Sequence, residues 1–451
     1  MARGQADSSA GKRAQFVNPG MVFPFILLVC CFAAWGMATD LTAPLVKVFR
    51  SIFSMTNLES SLVQFSYYVS YFCLAIPAAL INSRIGYKGG VLIGLSFAAC
   101  GGLLFIPAAH MMTYGAFLVS LFVLAGGLSI LETSANPFVM VMGPEHNATQ
   151  RLNFAQAFNP IGSNLGVLIA TLFILPHVHP VTAADRASMS EQEMIEMQSG
   201  ELQAVMGPYV GLSILYIILA VGISRIKLTG RDEDAPQGAR KDRLHRLLGN
   251  KRYSFGIVAQ FFNIAVQTCI WTYTLHYVTD ALEISDRAAG YWLQASLMTF
   301  LVMRFVMVAL MGRFDARKLL LTMCLVGVFL AIFAMISVNV AGAVAIVLLS
   351  GCISLLFPTI YGEALKGLGS DTKFGAAGLV MAIIGGALMP PVQAWVMDRT
   401  SASFSYVVVV ICFAIVASYG WYTLHERMCG ASCSPCCLEP VHIQNLVTSI
   451  I

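Results

Sequence analysis

Long apolar runs alternate with short polar stretches from about residue 22 to residue 424. A helix that crosses a bilayer needs about 20 mostly apolar residues, and twelve runs reach that length. Six are approximately Val22–Val46, Ser60–Ile81, Gly89–Ala109, Tyr114–Met142, Leu152–Leu175 and Tyr209–Ile226. The other six are approximately Phe255–Leu282, Ala288–Met311, Leu319–Val338, Ala341–Leu365, Phe374–Val396 and Ser403–Leu424. The pattern predicts an all-α polytopic membrane protein with twelve transmembrane helices in two six-helix halves.

A charged stretch separates the two groups of spans. Its segment GRDEDAPQGARKDR is typical of a solvated linker that ends in a short basic helix. We therefore expect five parts along the chain. They are an N-terminal tail (1–20), an N-terminal six-helix half (21–226), a linker (227–252), a C-terminal six-helix half (253–425) and a cysteine-containing C-terminal tail (426–451).

The C-terminal tail carries Cys429, Cys433, Cys436 and Cys437, four of the twelve cysteines. Their spacing lacks the His or second Cys-x2-Cys pair that would complete a convincing zinc site. We expect a disordered tail, and palmitoylation near the membrane is an alternative. The other eight cysteines lie in apolar runs, where they are expected to serve as small apolar side chains.

Composition and charge agree with a membrane protein. Only 11% of the residues are charged, against about 25% in soluble proteins. With the N-terminus inside, about 21 of the 27 Lys and Arg residues fall on the cytoplasmic side, as the positive-inside rule requires. The longest outer loop is expected at His177–Val205, which is acidic. We therefore expect a multi-pass protein of the cell inner or plasma membrane with both termini cytoplasmic, surrounded by lipid and functional as a monomer.

Glu132 is the only charged residue in Ala116–Val141, the core of span 4. A charge at this depth costs at least a few kcal/mol, so it normally faces a bundle interior or a wet cavity. Asn136 follows four residues later on the same helix face. Pro137 frees backbone carbonyls in the preceding turn. These features predict a site for a proton, a substrate or both, and the alternative is a structural Glu held by a buried partner.

Asp40 is a second acid inside an apolar run, in span 1. Two carboxylates that face one cavity would change each other's proton affinity. A proton-coupled carrier can use such a pair, so we predict that Asp40 and Glu132 take part in proton coupling. The alternative for Asp40 is a structural role near a helix end.

Amide side chains form a stripe on span 5, where Gln156, Asn159 and Ser163 are spaced i, i+3 and i+7. Amides suit sugar hydroxyls because each amide both donates and accepts hydrogen bonds. The alternative is packing between helices, which Gly162 and Gly166 on the same helix also favour.

Span 7 repeats this theme with Gln260, Asn263, Gln267 and Trp271 on one face. An aromatic ring can stack on the apolar side of a pyranose while amides bind its hydroxyls. Packing aromatics and amide contacts between helices are the alternative. The predicted substrate-binding set is Glu132, Asn136, Gln156, Asn159, Asn263, Gln267 and Trp271.

Further charges lie in or beside the spans. Arg304 in span 8 requires a partner at depth, and an acid or backbone carbonyls are expected rather than an anionic substrate. Glu363 near the end of span 10 is expected to pair with Lys366. The turns after spans 2 and 8 are basic, and we predict gating roles for Arg84, Arg313, Asp315 and Arg317. The alternative is that these turns only satisfy the positive-inside bias.

Several segments resemble the fucose:proton symporter family of sugar carriers in the major facilitator superfamily. The most specific are LETSANPFVMVMG (131–143) and RLNFAQAFN (151–159), and the resemblance extends from about Phe23 to Leu424. It implies twelve helices, alternating access and uptake of a monosaccharide with protons. It also implies that Glu132 acts in substrate recognition and coupling, and that Gln156 and Asn159 carry the amide motif of the family.

The chain departs from this family in span 1. The family has an Asn-Asp pair there, and its aspartate is a coupling site. In this chain Thr42 and Ala43 occupy those positions, and the acid, Asp40, lies one helical turn earlier. One hypothesis is that Asp40 is a relocated coupling site. The competing hypothesis is a uniporter or a differently coupled carrier.

The sequence therefore predicts a secondary active transporter that imports L-fucose or a related hexose by proton symport. The proton gradient is the expected energy source, without a cofactor or metal, and no nucleic-acid partner is expected. The chain has no Walker motif, which argues against direct ATP drive. It is not expected to be an enzyme. Alternatives are a carrier of another polar solute such as an amino sugar, or a sugar sensor that does not transport.

Overall fold

The structure is a computed structural model that describes residues 15–52, 57–174, 176, 190–226 and 240–432. Cys433, Cys436 and Cys437, and the tail before residue 15, lie outside these residues. Every regular element of the described chain is helical.

The first half of the chain forms helices α1 to α6. Four of them are α1 (Val22–Ile52), α4 (Tyr114–Val141), α5 (Ala148–Gln156 and Asn159–Ile169) and α6 (Glu191–Ser224). Helices α2 and α3 share the segment Asn57–Leu103, in which α2 precedes Gly86 and α3 follows it. Helix α3 then continues as Phe105–Met111. The predicted outer loop 177–205 is therefore partly helical. Ser190 begins α6 with a capping box, in which its side chain and that of Glu193 satisfy each other's backbone N–H groups.

The second half begins with a helix in the predicted linker, Arg240–Gly249, which we call the linker helix. It is followed by α7 (Lys251–Leu282), α8 (Asp286–Met311), α9 (Ala316–Ile336), α10 (Val340–Ile353 and Leu356–Leu365), α11 (Thr372–Met381 and Gly385–Arg399) and α12 (Val407–Ser432). The last helix continues eight residues beyond the predicted end of its span at Leu424.

The described residues contain 11 helical segments that are long and apolar enough to cross a membrane. One of them, Phe65–Met111, holds predicted spans 2 and 3 together, so twelve spans are present as predicted. The two spans meet at Gly86, where φ is 75° and ψ is 174°. Only glycine adopts this conformation readily. Asn82–Lys88, the basic turn expected after span 2, is therefore a tight corner within helical backbone.

Four of the spans are discontinuous, and that of α3 is interrupted at Leu104. The two helices of α5 are separated at Ala157 and Phe158, and Pro160 stands at the start of the second. The helices of α10 are separated at Ser354 and Leu355, because the ring of Pro358 clashes with the carbonyl four residues earlier. Residues 382–384 of α11 form a 3-10 turn. Such interruptions in transporters commonly occur at the depth of the binding site.

The linker helix marks one end of the helix bundle, which we call the linker side. Arg246 holds it there through a bidentate ion pair with the Asp371 carboxylate, with N–O distances of 3.0 and 3.1 Å. Helices α1 and α7 begin on the linker side, and α4 and α10 end there. Directions along the helices are given below relative to this side.

The two halves of the chain meet on the linker side, through α5 and α10. Asn153 Nδ2 donates to Thr359 Oγ1 at 3.2 Å. One turn nearer the linker side, Thr149 Oγ1 donates to the Glu363 carboxylate at 3.3 Å. The halves are therefore closed against each other at this end.

Close packing of α1 on α5 holds the first half together. A methyl group on Gly162 would collide with the Ala33 carbonyl oxygen, and one on Gly36 would collide with the Asn159 carbonyl. Glycines allow helix backbones to approach in this way within membranes. The predicted packing role of Gly162 is thereby confirmed.

Replacing Gly162 by Ala is expected to lower the melting temperature of the detergent-solubilised protein. The added methyl group meets backbone rather than a flexible side chain, so the helices must separate, at a cost of about 1–3 kcal/mol. Gly211→Ala is the matched control, because a methyl group there meets nothing within 4 Å. An unchanged melting temperature for Gly162→Ala, measured beside this control, would contradict the close packing.

Candidate functional site

A cavity of about 350 Å³ lies between the two halves. Its wall comes from α1, α2, α4 and α5 on one side and from α7, α8, α10 and α11 on the other. Six of the predicted site residues line it: Asp40, Glu132, Gln156, Asn159, Gln267 and Trp271. The volume is in the range of about 300–1,000 Å³ that is usual for small-molecule pockets.

Glu132 is the buried acid of the cavity wall, with only 1% of its surface exposed. Neither carboxylate oxygen makes a hydrogen bond to a described residue. The Asn136 side chain lies beside the carboxylate without a hydrogen bond of normal geometry, so Glu132 is not locked to a buried partner in the described residues. A carboxylate kept without such a partner inside a membrane is typical of a functional site.

Amide side chains connect α4 to α5 beside Glu132. Asn136 follows Glu132 by one helical turn, and its Oδ1 accepts a hydrogen bond from Gln156 Nε2 at 2.8 Å. Gln156 lines the cavity beside Glu132, and so does Asn159, whose Nδ2 donates to the Phe32 carbonyl of α1 at 3.3 Å. Gln156 and Asn159 therefore both line the cavity and join helices.

Asp40 reaches the cavity wall from α1 and is only partly buried. The Ser163 hydroxyl of α5 lies beside its carboxylate and donates to the Gly36 carbonyl at 3.4 Å. The same cavity therefore contains both predicted acids. The side chains of Thr42 and Ala43, the positions at which the family resemblance expects an amide and an acid, are outside the described set.

Asn136 and Asn263, two predicted substrate ligands, do not line the cavity. Both are fully buried, on the linker side of Glu132 and Gln267 respectively. The i, i+4 spacing correctly assigned each pair to one helix face. It did not show that the halves close against each other one turn below the cavity floor.

An aromatic wall on α1 and α2 was missed by the sequence predictions. Trp35 Nε1 donates to Tyr71 Oη at 2.7 Å, and the hydroxyls of Tyr67 and Tyr71 are 3.2 Å apart. Thr39 shares a further hydrogen bond of 3.1 Å with Tyr67. Tyr68 also lines the cavity. The signal was present as YYVSY (67–71), three tyrosines within one apolar run.

The second half supplies an indole and a guanidinium. Trp271 Nε1 donates to Ser350 Oγ at 3.1 Å, and its ring packs edge-on against Phe300. Arg304 lies over the same Phe300 ring, and its Nη1 donates to the Gln156 carbonyl at 2.8 Å. The expected backbone partner for Arg304 is confirmed, and this bond joins the two halves at the cavity floor.

The residues predicted to gate the protein separate into two groups. Arg84 and Arg313 are exposed and make no ion pair with a described residue. Asp315 instead caps the start of α9, accepting from the Arg317 backbone N–H at 2.9 Å. The Arg317 guanidinium also contacts the Asp315 carboxylate, at 3.0 and 3.1 Å.

Glu363 is the centre of a charged cluster on the linker side. It pairs with Lys366, as predicted, and with Arg252 at 2.5 Å. Arg317 is 3.8 Å away. Its carboxylate also accepts from Thr149 of the other half. The cluster therefore links the closed end of the bundle to the turn before α9.

Arg151 on α5 is fully buried, and its guanidinium binds mainly backbone carbonyls. Its guanidinium donates to the carbonyls of Val139 at 2.8 Å and Phe16 at 2.9 Å, and to those of Met140 and Gly143. These bonds satisfy carbonyls at the end of α4, which a helix terminus leaves without partners. Arg151 therefore fixes the end of the helix that carries Glu132.

Twelve helices in two groups, with interrupted helices around a central polar cavity, define a secondary membrane transporter. The family profile described as Major Facilitator Superfamily matches residues 25–362. An L-fucose-proton symporter of Haemophilus influenzae is 37% identical over 423 residues, which cover 90% of this chain and 98% of that protein. The chain belongs to the Major Facilitator Superfamily and, within it, to the fucose:proton symporter family, which consists of transporters rather than enzymes.

Two further comparisons agree with this assignment. A glucose/galactose transporter of Brucella abortus is 32% identical over 409 residues, covering 88% of this chain and 93% of that protein. The crystal structure of a Major Facilitator Superfamily transporter, FucP, in the outward conformation matches with a TM-score of 0.84. It is 32% identical, and the match covers 90% of this chain and 99% of that one.

A thiol reagent that cannot cross the membrane is expected to react at different rates with the variants Gln267→Cys and Asn263→Cys. Applied in vesicles from the side opposite to the linker helix, it should react with Gln267→Cys, which lines the cavity. Asn263→Cys, one turn deeper and fully buried, should react at least about tenfold more slowly, because buried thiols are poorly accessible. Both are made in a cysteine-free background, and comparable rates would contradict the closed floor.

Proposed function

We propose that this protein imports a monosaccharide, L-fucose or a related hexose, by proton symport through alternating access. One observation carries the proposal. Two carboxylates, from Glu132 and Asp40, line a single cavity whose other polar groups are amides, hydroxyls and one guanidinium, interleaved with aromatic rings. The names of the relatives, L-fucose-proton symporter and glucose/galactose transporter, support a sugar as the solute.

The wall chemistry suits a sugar more than an ion or a lipid. Amides and hydroxyls both donate and accept, as sugar hydroxyls do. Trp271 and the tyrosines of α2 offer flat apolar faces to the C–H side of a pyranose ring. We assign substrate binding to Glu132, Gln156, Asn159, Gln267 and Trp271. The proton gradient supplies the energy in this proposal, and no cofactor takes part.

We assign the linker side to the cytoplasm, because basic residues concentrate in the segments of that side. The halves are closed there by Asn153–Thr359 and Thr149–Glu363. At the other end the cavity wall includes Thr272, which is exposed. This arrangement is then an outward-facing state, and the similarity to FucP in its outward conformation supports that assignment.

We assign a closing role in this state to Asp315 and Arg317, because they connect the turn before α9 to Glu363. Arg84 and Arg313 are exposed here. In this proposal they act only in the inward-facing state, in which the linker side is open and the other end of the bundle is closed.

Glu132 is the proposed shared site for proton and sugar. Its ionised form is costly at this depth, and its oxygens are free to accept from a sugar hydroxyl or to take up a proton. A proton bound from the outside would neutralise the carboxylate before the cavity closes. Release on the cytoplasmic side would restore the charge and favour return of the carrier.

Glu132→Gln is expected to abolish gradient-driven accumulation, because an amide cannot release a proton. Proteoliposomes with and without an inward proton gradient are tested with labelled L-fucose, D-galactose and D-glucose. Glu283→Gln, at an exposed glutamate between α7 and α8, is the matched control and should accumulate sugar as the wild type does. Full accumulation by Glu132→Gln would overturn the mechanism, and no uptake of any of these sugars by the wild type would overturn the substrate class.

Asp40→Asn tests whether this acid is the relocated coupling site. We expect the substitution to reduce sugar-driven proton uptake at least about tenfold, since one of the two carboxyl groups in the cavity wall is lost. Proton uptake is followed with a pH-sensitive dye in proteoliposomes during addition of the transported sugar. Asp398→Asn, at an exposed aspartate near the end of α11, is the control. If Asp40→Asn leaves coupled proton uptake intact, the relocated-site hypothesis fails.

A further inference from the structure

Below the cavity floor, on its linker side, lies a second set of polar side chains. They are Asn136 on α4, Asn153 on α5, Gln260 and Asn263 on α7, and Tyr361 on α10. At most 3% of the surface of any of them is exposed. None of the five lines the cavity. We call this set the exit layer.

The exit layer continues the cavity wall on every helix concerned. Asn136 follows Glu132 by four residues, and Tyr361 follows Phe357 by four. Gln260 and Asn263 precede Gln267 by seven and four residues, and Asn153 precedes Gln156 by three. Spacings of three, four and seven lie on one helix face. Each of these polar residues is therefore displaced by one or two turns toward the linker side on a face that already lines the cavity.

Helix packing supports the position of the α7 members. Gly256 of α7 faces Ala364 of α10. Gln260 and Asn263 lie one and two turns further along the same face, beside the stretch of α10 that contains Tyr361. The Tyr361 side chain in turn lies near Asn136 of the other half. The exit layer thus spans the boundary between the halves.

Most polar atoms of the exit layer make no hydrogen bond to a described residue. This holds for both side-chain polar atoms of Gln260 and of Asn263, for the Tyr361 hydroxyl and for Asn136 Nδ2. Across the halves, Asn153 is paired to Thr359, and Tyr361 lies beside Asn136. A buried polar group without a partner costs about 1–3 kcal/mol. An isolated amide could be a packing accident, but amides and a hydroxyl on three helices that face one boundary indicate a common ligand.

We propose that the exit layer is a second monosaccharide subsite, which binds the sugar on its way to the linker side after the halves have rocked open there. The proposal rests on the proposed function and extends it. Opening separates α5 from α10 and breaks the Asn153–Thr359 and Arg304–Gln156 bonds, which exposes the layer. Its amides and hydroxyl then offer donors and acceptors to sugar hydroxyls. The cavity and the exit layer consequently bind sugar from opposite sides of the membrane.

The test measures half-saturation from each side separately. Asn263→Leu and Gln260→Leu are compared with wild type in oriented vesicles, right-side-out and inside-out, using the labelled sugar that the wild type takes up (L-fucose, D-galactose or D-glucose). Loss of one or two hydrogen bonds should raise the half-saturation concentration on the linker side about fivefold. Half-saturation on the opposite side should change less than about twofold. Equal changes on both sides, or none, would overturn the proposal.

Gln393→Leu is the matched control for removing a buried amide. Gln393 on α11 is fully buried and donates to Ser405 at 3.2 Å, away from the cavity. It should leave both half-saturation values unchanged. If a leucine variant fails to fold, Asn263→Cys provides the second measurement. Alkylation from the linker side should be slowed by the sugar, and alkylation that the sugar does not slow would overturn the proposal. Wild-type counterflow, measured in the same vesicles, shows separately whether the proposed transport itself fails.

Discussion

The structure depends on one constraint, which is that a polar group within a bilayer needs a partner in the protein or a place in a cavity. The scaffold satisfies this constraint internally. Arg151 donates only to backbone carbonyls and to Asn147. Asn82 reaches the Thr133 carbonyl that Pro137 releases, at 3.4 Å. Groups without a described partner, such as those of Glu132 and Asn263, concentrate instead near the boundary between the halves. Glu132, Asn136, Gln260, Asn263 and Tyr361 account for most of these unpartnered atoms, and all five lie in the cavity wall or directly on its linker side.

Interrupted helices give the site its shape. The break in α5 lies between Gln156 and Asn159, and the two amides reach the cavity from different helical segments. Phe357 lines the cavity just after the break of α10, and Ile383 lines it from within the break of α11. A break at this depth lets one part of a span stay packed on its own half while the other part contacts the opposite half. The Arg304–Gln156 bond at the α5 break is such a contact.

Sequence patterns predicted the number of spans, both acids and most of the amide wall, because a polar residue in a long apolar run is costly in a bilayer and is seldom kept without a role. They did not predict depth. Periodicity correctly assigned Asn263 to the face of Gln267, but only the closure of α5 on α10 determines that Asn263 lies below the floor. Tyr67 and Tyr71 were missed because a tyrosine in an apolar run resembles an ordinary packing residue. The helix ahead of span 6 was missed because its residues are charged, although Ser190 and Glu193 carried a capping signal.

The position of Asp40 follows from helix geometry. Relative to Ala43, it is three residues nearer the linker side, which is about 4.5 Å along the axis and about 60° around it. The shift moves the carboxylate toward the depth of Glu132, and the rotation is small enough that Asp40 still lines the cavity. Both acids belong to the first half of the chain, whereas Arg304 and Trp271 belong to the second. In the proposed function, a sugar bound between them contacts two carboxyl groups on one side and an indole and a guanidinium on the other. Under that proposal, protonation of the acids changes the contacts of the sugar with the first half and leaves its contacts with the second half unchanged.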